Sequence, residues 1–275
     1  MSPPSSTIIE ALRRQLATPL ASLGRQSVLP FGDPRIDRHL PGGGLPIGQL
    51  HEISADGIEA ETGAVAGGFA AALAGALLRH SADDRVLLWI APCCDLYAPG
   101  LLQYGIDPGR LILVQTRNDT ETLQAMETAL RSGAATAVLG EVGKLSRLAA
   151  RRLQLASLQE HTTSLLLRRW PRGRPDPTAA VTRWRLSHVP SEGRGEEGQG
   201  LCPWTRLGIL SPAGSRGRAP GLLSSSPRWR VELLHARGGR CGAWEMEVGD
   251  AAGSLRVVAV LGDDAAAPHP RRAAG

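Results

Sequence analysis

Lysine is all but missing from this sequence. Of its 31 basic residues, 30 are arginine, and the one lysine is Lys144. A phosphate-cradling loop of the G-x-x-x-x-G-K-[ST] pattern needs a lysine, and no such pattern occurs. Aromatics are also few, with six Trp, two Tyr and two Phe, so a core must be built mainly from Leu, Ala and Val. The four cysteines, Cys93, Cys94, Cys202 and Cys241, form neither a C-x-x-C motif nor a Cys/His cluster with zinc spacing. They fit free thiols in a reducing compartment, and the cytoplasm is expected. Cys93, after a strand and beside Asp95, reads as a plain buried cysteine rather than a nucleophile. His39, His51 and His80 have no paired ligands at metal spacing, so structural roles are expected, and no metal or other cofactor. The first residues lack the basic and apolar segments of a secretory leader. No apolar run reaches the length of a membrane span, so no membrane contact is expected.

What is present suits a globular chain. At 275 residues with 42% hydrophobic content, one large domain with an ample core is affordable. Charge is uneven, with a net of −3 over residues 1–150 and +8 over 151–275. A basic second half is compatible with an anionic partner, although an arginine-rich surface explains the net charge as simply.

Ser6 precedes Ile8, Ile9, Leu12 and Leu16 at helical spacing, which predicts a short amphipathic helix followed by a linker, together residues 1–30. The main domain is expected over 31–262. From Leu50 to about Leu167 strands and helices alternate. Strands are predicted at Leu50–Ile53, Arg85–Ala91, Leu111–Gln115, Thr136–Leu139 and Ser164–Leu167. Helices are predicted at Ala64–His80, Ala98–Tyr104, Thr120–Ser132 and Leu145–Gln159. The strands are near-continuous apolar runs, which indicates a parallel sheet covered on both faces. Residues 180–188 alternate like a one-sided strand. Three further strands, Arg228–His235, Ala243–Val248 and Ser254–Val260, are joined by hairpin signals and add an antiparallel part. The fold class is therefore α/β, a mainly parallel sheet flanked by helices with C-terminal antiparallel strands. Residues 190–226, rich in Gly, Ser, Pro and charge, read as a flexible insertion, and 263–275 as a disordered tail.

The chain is organised around Pro41–Ile53, a glycine-rich turn feeding a short strand, and the polar loop and helix behind it. Strand, loop and helix make the frame of a P-loop. The loop carries Asp56, Glu59 and Glu61, which repel phosphate. Ser54, Asp56, Gly57, Glu61, Thr62 and Gly63, together with Glu141 after a later strand, mark the place of a degenerate nucleotide site. Glu141 reads as a vestigial metal ligand or, better, as a cap for helix 145–159, with Gly140–Gly143 breaking the chain after its strand. Arg168, Arg169, Trp170, Arg172 and Arg174 form a basic run with one aromatic at the sheet's C-terminal edge. Arg151 and Arg152 extend it. Phosphate contact with stacking on Trp170 would suit single-stranded DNA, and docking of an acidic partner suits the run equally.

Phe31 to Ile53 resembles the lead-in to the nucleotide loop of RecA-type recombinases, on Ile36-Asp37, Gly43-Gly44-Leu45-Pro46-Ile47-Gly48 and Leu50-His51-Glu52-Ile53. The whole chain resembles the ImuA family of RecA-like accessory proteins. The resemblance rests on Pro30-Phe31-Gly32, Gly43-Gly44-Leu45-Pro46 with His51-Glu52, Trp89-Ile90-Ala91-Pro92, Gly140-Glu141-Val142 and Trp244-Glu245-Met246-Glu247. It implies a RecA-like core and a place in SOS-induced, error-prone translesion synthesis. The implied partners are ImuB, an inactive relative of Y-family polymerases, RecA, and an error-prone replicative-type polymerase subunit. Against the recombinase pattern, the Walker lysine and its Ser/Thr have no counterpart between Ser54 and Gly68, and the catalytic glutamate's place falls at Cys93. A non-catalytic adaptor is the expectation. The alternatives are a divergent ATP-binding recombinase paralogue and a SulA-type cell-division inhibitor.

Overall fold

Four of the five apolar runs that read as buried strands lie in the middle of one sheet; the fifth, Leu111–Gln115, is an edge strand with Ile112 and Leu113 exposed. The computed structural model describes residues 27–56, 59–93, 96–169, 178–189, 228–249 and 254–262. The predicted N-terminal helix, the whole of the insertion 190–226 and the tail 263–275 lie outside the described residues, as do Cys94, Trp170, Arg172 and Arg174. Strands β1 (Val28–Leu29) and β2 (Leu45–Pro46) form a small antiparallel pair around helix α1 (Pro34–Asp37). The large sheet holds β3 (Leu50–Ala55), β4 (Val86–Ala91), β5 (Leu111–Gln115), β6 (Ala135–Val142), β7 (Thr163–Arg168), β8 (Thr182–His188), β9 (Arg228–Ala236), β10 (Gly242–Val248) and β11 (Leu255–Gly262). Its nine strands run in the order β11-β10-β9-β8-β3-β7-β6-β4-β5. From β8 to β5 neighbours are parallel; from β8 to β11 they are antiparallel. This is the predicted α/β architecture.

Three long helices cover it: α2 (Glu59–His80), α3 (Asp119–Ser132) and α4 (Arg147–Glu160). One face packs on α2, through Ile53, Leu139, Leu167, Trp184 and Val231 among others. The other packs on α3 and α4 through Leu50, Val138, Leu153 and Leu166. Among the described residues the antiparallel half has no second helix layer. Its inner residues, such as Trp184, Trp229 and Trp244, are buried, while Arg183, Arg185, Arg230 and Glu232 face outwards. That is the alternation of a one-sided sheet. Four of the six tryptophans, Trp89, Trp184, Trp229 and Trp244, thus end up in the core that Leu, Ala and Val otherwise fill.

Several boundaries differ from the sequence reading. Helix α2 begins at Glu59, not Ala64, so the acidic stretch is largely helical. Within it, Gly63–His80 is long and apolar enough for a membrane span, with 72% buried inside the protein; it is the central helix of the core. Strand β6 runs on to Val142, so Gly140 and Glu141 lie inside it and only Gly143 follows. Helix α3 is capped by Asn118, whose side chain accepts from the Glu121 N–H. Asp119 instead accepts from the Gly143 and Lys144 N–H groups and ties the exit of β6 to α3. The 98–104 segment is a 3₁₀ turn rather than an α-helix.

The small residues of α2 let other chain segments come close. A Cβ on Gly75 would sit 1.9 Å from the Tyr104 carbonyl oxygen, itself an acceptor from Arg79 Nη1 at 3.2 Å. Gly67, also within the helix, has nothing within 4 Å of that position. An interior glycine ordinarily costs a helix about 1 kcal/mol against alanine. Gly67→Ala should therefore raise stability by about 1 kcal/mol, whereas Gly75→Ala should lower it by about 2 kcal/mol because the backbone at Tyr104 must move. Urea unfolding of the two variants measures the opposite signs.

Candidate functional site

Candidate site chemistry gathers where the parallel strands end. In register, Ile53 of β3 lies beside Leu167 of β7, which lies beside Glu141 of β6, and Ser54 lies beside Arg168. Two buried charge clusters form here, one on each face of the sheet.

On the α2 face, Glu141 accepts from Trp89 Nε1 at 2.6 Å and pairs with Arg169 Nη1 at 2.9 Å. The carboxylate therefore bridges a β4 tryptophan and the residue after β7. It does not cap a helix: Ser146 caps α4, accepting from the Ala149 N–H. On the opposite face Glu52 pairs with Arg168 Nη1 at 3.1 Å and Arg183 Nε at 3.5 Å. It also accepts from the Thr178 hydroxyl at 2.7 Å. Arg168 donates further to the Gly143 carbonyl. The side chains of Arg168 and Arg169 are 14% and 13% exposed, so both are committed inside the protein rather than presented at the surface as the basic run suggested. Ionised groups at such depth are retained because each has an opposite charge and hydrogen bonds beside it.

The other expected site residues are dispersed. Ser54 lies inside β3 and its hydroxyl donates to the Trp184 carbonyl. Asp56 is exposed just past the strand, its N–H held by the Leu186 carbonyl. Gly57 lies outside the described residues, Glu61 and Thr62 belong to the first turns of α2, and Gly63 is buried in that helix. The connection from Ala55 to Glu59 is thus three residues, Asp56, Gly57 and Ile58. A P-loop spans eight residues from its first glycine to its Ser/Thr. A side chain at Gly140 would meet Met126, which fills that space. A cavity of about 60 Å³ remains between Gly67, Gly68, Trp89, Tyr104, Glu141 and Arg169. It has room for a few waters, against the ~300 Å³ or more of a typical ligand pocket.

Arg151 and Arg152 are exposed on α4, and Arg152 pairs with Glu127 at 2.6 Å. Cys93 is exposed, not buried as expected. Among the described residues no group of His, Cys, Asp and Glu could hold a metal ion. His39 and His51 have structural roles. His39 Nδ1 meets the Cys241 carbonyl and its ring packs edge-on against Trp244. His51 is fully buried on the α2 face. Its Nε2–H donates to the Pro46 carbonyl at 2.8 Å, so Nδ1 accepts from the Thr182 hydroxyl at 2.7 Å, which in turn accepts from Trp184 Nε1.

Sequence reasoning missed Thr178 and Arg183, and took Glu52 and Trp89 only as motif residues. One signal was available: a glutamate in the middle of an apolar strand must find a buried cation. The partners arrive from β7 and β8, more than a hundred residues along, and nothing local names them.

Two predictions follow from these clusters. Burial pushes His51 down to about 4, from an ordinary 6.5, even though the Pro46 carbonyl favours the charged ring. The unfolded chain therefore binds a proton that the native state refuses between those pH values. Stability should fall by about 2 kcal/mol from pH 7.5 to 5 on this account, and a His51→Gln variant should show a correspondingly shallower slope in urea titrations across that range. Glu141→Gln keeps the Trp89 hydrogen bond but strips Arg169 of this ion pair. It should cost about 3 kcal/mol, read as a lower thermal midpoint.

No family model matches the chain. It is 36% identical over 262 residues to Protein ImuA of Caulobacter vibrioides strain NA1000, covering 90% of this chain and 96% of that protein. Over 93 residues it is 33% identical to the cell division inhibitor SulA of Photorhabdus laumondii, covering 34% of this chain and 52% of that one. The crystal structure of SulA from Pseudomonas aeruginosa matches 43% of this chain and 96% of its own at 27% identity, with a TM-score of 0.37. Identity at this level along nearly the full length of both sequences decides the relationship: the chain belongs to the ImuA family.

Proposed function

We propose that this protein is a non-catalytic RecA-like adaptor of SOS-induced, error-prone translesion DNA synthesis. It acts in the cytoplasm. Its partners are an ImuB-like homologue of Y-family polymerases and RecA, with an error-prone replicative-type polymerase subunit reached through the complex and single-stranded DNA a further contact. The observation that carries the reading is the junction between β3 and α2, where three residues without a lysine stand in place of a phosphate loop. Phosphoryl transfer is almost wholly positioning and charge stabilisation, so a site without the loop and its cation has little to work with. The two arginines at the same sheet edge, Arg168 and Arg169, are neutralised by Glu52 and Glu141. Membership of the ImuA family supplies the biological setting.

The 93-residue similarity to a cell division inhibitor favours a second reading, inhibition of a division protein such as FtsZ. It covers only a third of the chain.

The full-length protein should co-purify with the ImuB-like subunit whether or not ATP is present, and calorimetry with magnesium ATP should give no binding heat. Tight ATP binding that Glu141→Ala abolishes overturns the non-catalytic reading. Failure to co-purify, together with unchanged single-stranded DNA binding in the presence of the subunit, overturns the adaptor. Suppression of FtsZ polymerisation in a light-scattering assay would install the second reading.

A further inference from the structure

The outward face of α4 is built the wrong way round for a solvated helix. Its core side is ordinary: Ala150, Leu153, Gln154, Ala156 and Ser157 are buried against the sheet and α3. Opposite them stand Leu148 and Leu155, 68% and 57% exposed, seven residues apart and so on one stripe about 10 Å long. Lone exposed leucines are unremarkable. Here, however, the two occupy the middle of the face and cations surround them. Lys144, Arg147 and Arg151 are exposed, and none of the three is ion-paired among the described residues. Arg152 flanks the stripe on the α3 side, where it meets Glu127. Glu127 is itself mostly buried and shared with Arg131. The only acidic residue of α4 is Glu160, in its last turn.

We propose that this face is a docking ridge for an acidic amphipathic helix of a partner protein. That helix would place apolar side chains at i and i+7 on Leu148 and Leu155, with flanking carboxylates on Arg147, Arg151 and Lys144. Charge complementarity selects the acidic partner. The leucines select a protein over nucleic acid, since a phosphate backbone gains nothing from two aliphatic side chains at the centre of its footprint, whereas a helix buries them. Segments of the same chain do not fit. The N-terminal amphipathic stretch carries Arg13 and Arg14 against one Glu10, the wrong sign. The acidic stretch Glu192–Gly200 has no apolar side chain between its glutamates, and four of its nine residues are glycine, which disfavours a helix.

The test uses the full chain and a fluorescein-labelled synthetic helix of ~18 residues, built from Leu, Ala and Glu with leucines at heptad spacing. Fluorescence polarisation should show saturable binding. It should weaken at least about tenfold in Leu148→Ala/Leu155→Ala and in Arg147→Glu/Arg151→Glu, with thermal midpoints unchanged because all four side chains are exposed. A matched peptide with Lys in place of Glu should not bind. Absence of binding to the wild type, or equal binding by the variants, overturns the proposal. So does an oligo-dT probe that depends on Arg147 and Arg151 but ignores the leucines while the peptide fails to bind, which would make the face a nucleic-acid surface. A wild-type dimer in sedimentation that Leu148→Ala/Leu155→Ala converts to monomer also overturns it, in favour of self-association. The peptide result holds whether or not the ImuB-like subunit co-purifies, so it stands or falls separately from the adaptor reading.

Discussion

A carboxylate stays ionised in an apolar interior only with a cation and hydrogen-bond donors beside it. Glu52 and Glu141 impose that demand on opposite faces of one sheet, close to the ends of its parallel strands. Meeting it fixes much of the nearby chain. Arg168 and Arg169 are consecutive, so leaving β7 they point to opposite faces, one to each carboxylate. The exit of β6 is held through the Gly143 carbonyl, and Thr178 fixes the entry to β8 on Glu52. Such pairs add little net stability over apolar packing of the same volume, but removing one partner is costly. They therefore act here as constraints on register more than as a source of folding energy.

The same clusters explain why this edge differs from a phosphate site. An anion bound at the ends of parallel strands needs donors and charge left over for it. Both arginines are already balanced, and the junction that would supply backbone N–H groups is three residues long. The glycine-rich lead-in makes architectural contacts. Asp37 accepts from the Phe31 and Gly32 N–H groups. Gly48, at a φ of 71°, lets the backbone pass where a Cβ would lie 2.9 Å from His161 Cα. What is preserved is the geometry that brings β3 into the sheet, and for the proposed adaptor that is sufficient.

The layering was legible in the sequence because burial on two faces and burial on one leave different patterns. Leu165-Leu166-Leu167 reads as an unbroken apolar run and is buried on both faces, whereas Thr182–His188 alternates. Leu111-Ile112-Leu113-Val114 reads the same way as the first but is the edge strand, with Ile112 and Leu113 exposed, because an apolar run does not say whether a further strand and helix will cover it. The site was far less legible. Periodicity assigns a residue to a face but does not name its neighbour across the sheet. Glu141 read as a helix cap because Ser146 and the helix lie just ahead in the chain, while its true partners, Trp89 and Arg169, come from two other strands' ends. Arg168 and Arg169 looked like surface charge because they sit in a run of arginines, and only the position of Glu52 and Glu141 inside the sheet turns them inward. The start of α2 was misplaced for a different reason: glutamates that repel phosphate in a loop are also favourable in the first turn of a helix, next to its positive end.

With those arginines committed internally, two of the surfaces that carry exposed cations differ in character. On the open face of β8 and β9 they alternate with acid: Arg185 and Arg230 both meet Glu232. There both arginines have a carboxylate partner. On α4 the cations stand with leucine instead, and the nearby acid is used up by Arg131 and Arg152. Mixed charge costs a surface nothing, whereas an unbalanced cationic helix with apolar side chains at its centre pays in repulsion and in exposed apolar area. An acidic helix with apolar side chains, as proposed for α4, would relieve the repulsion and the exposed apolar area together.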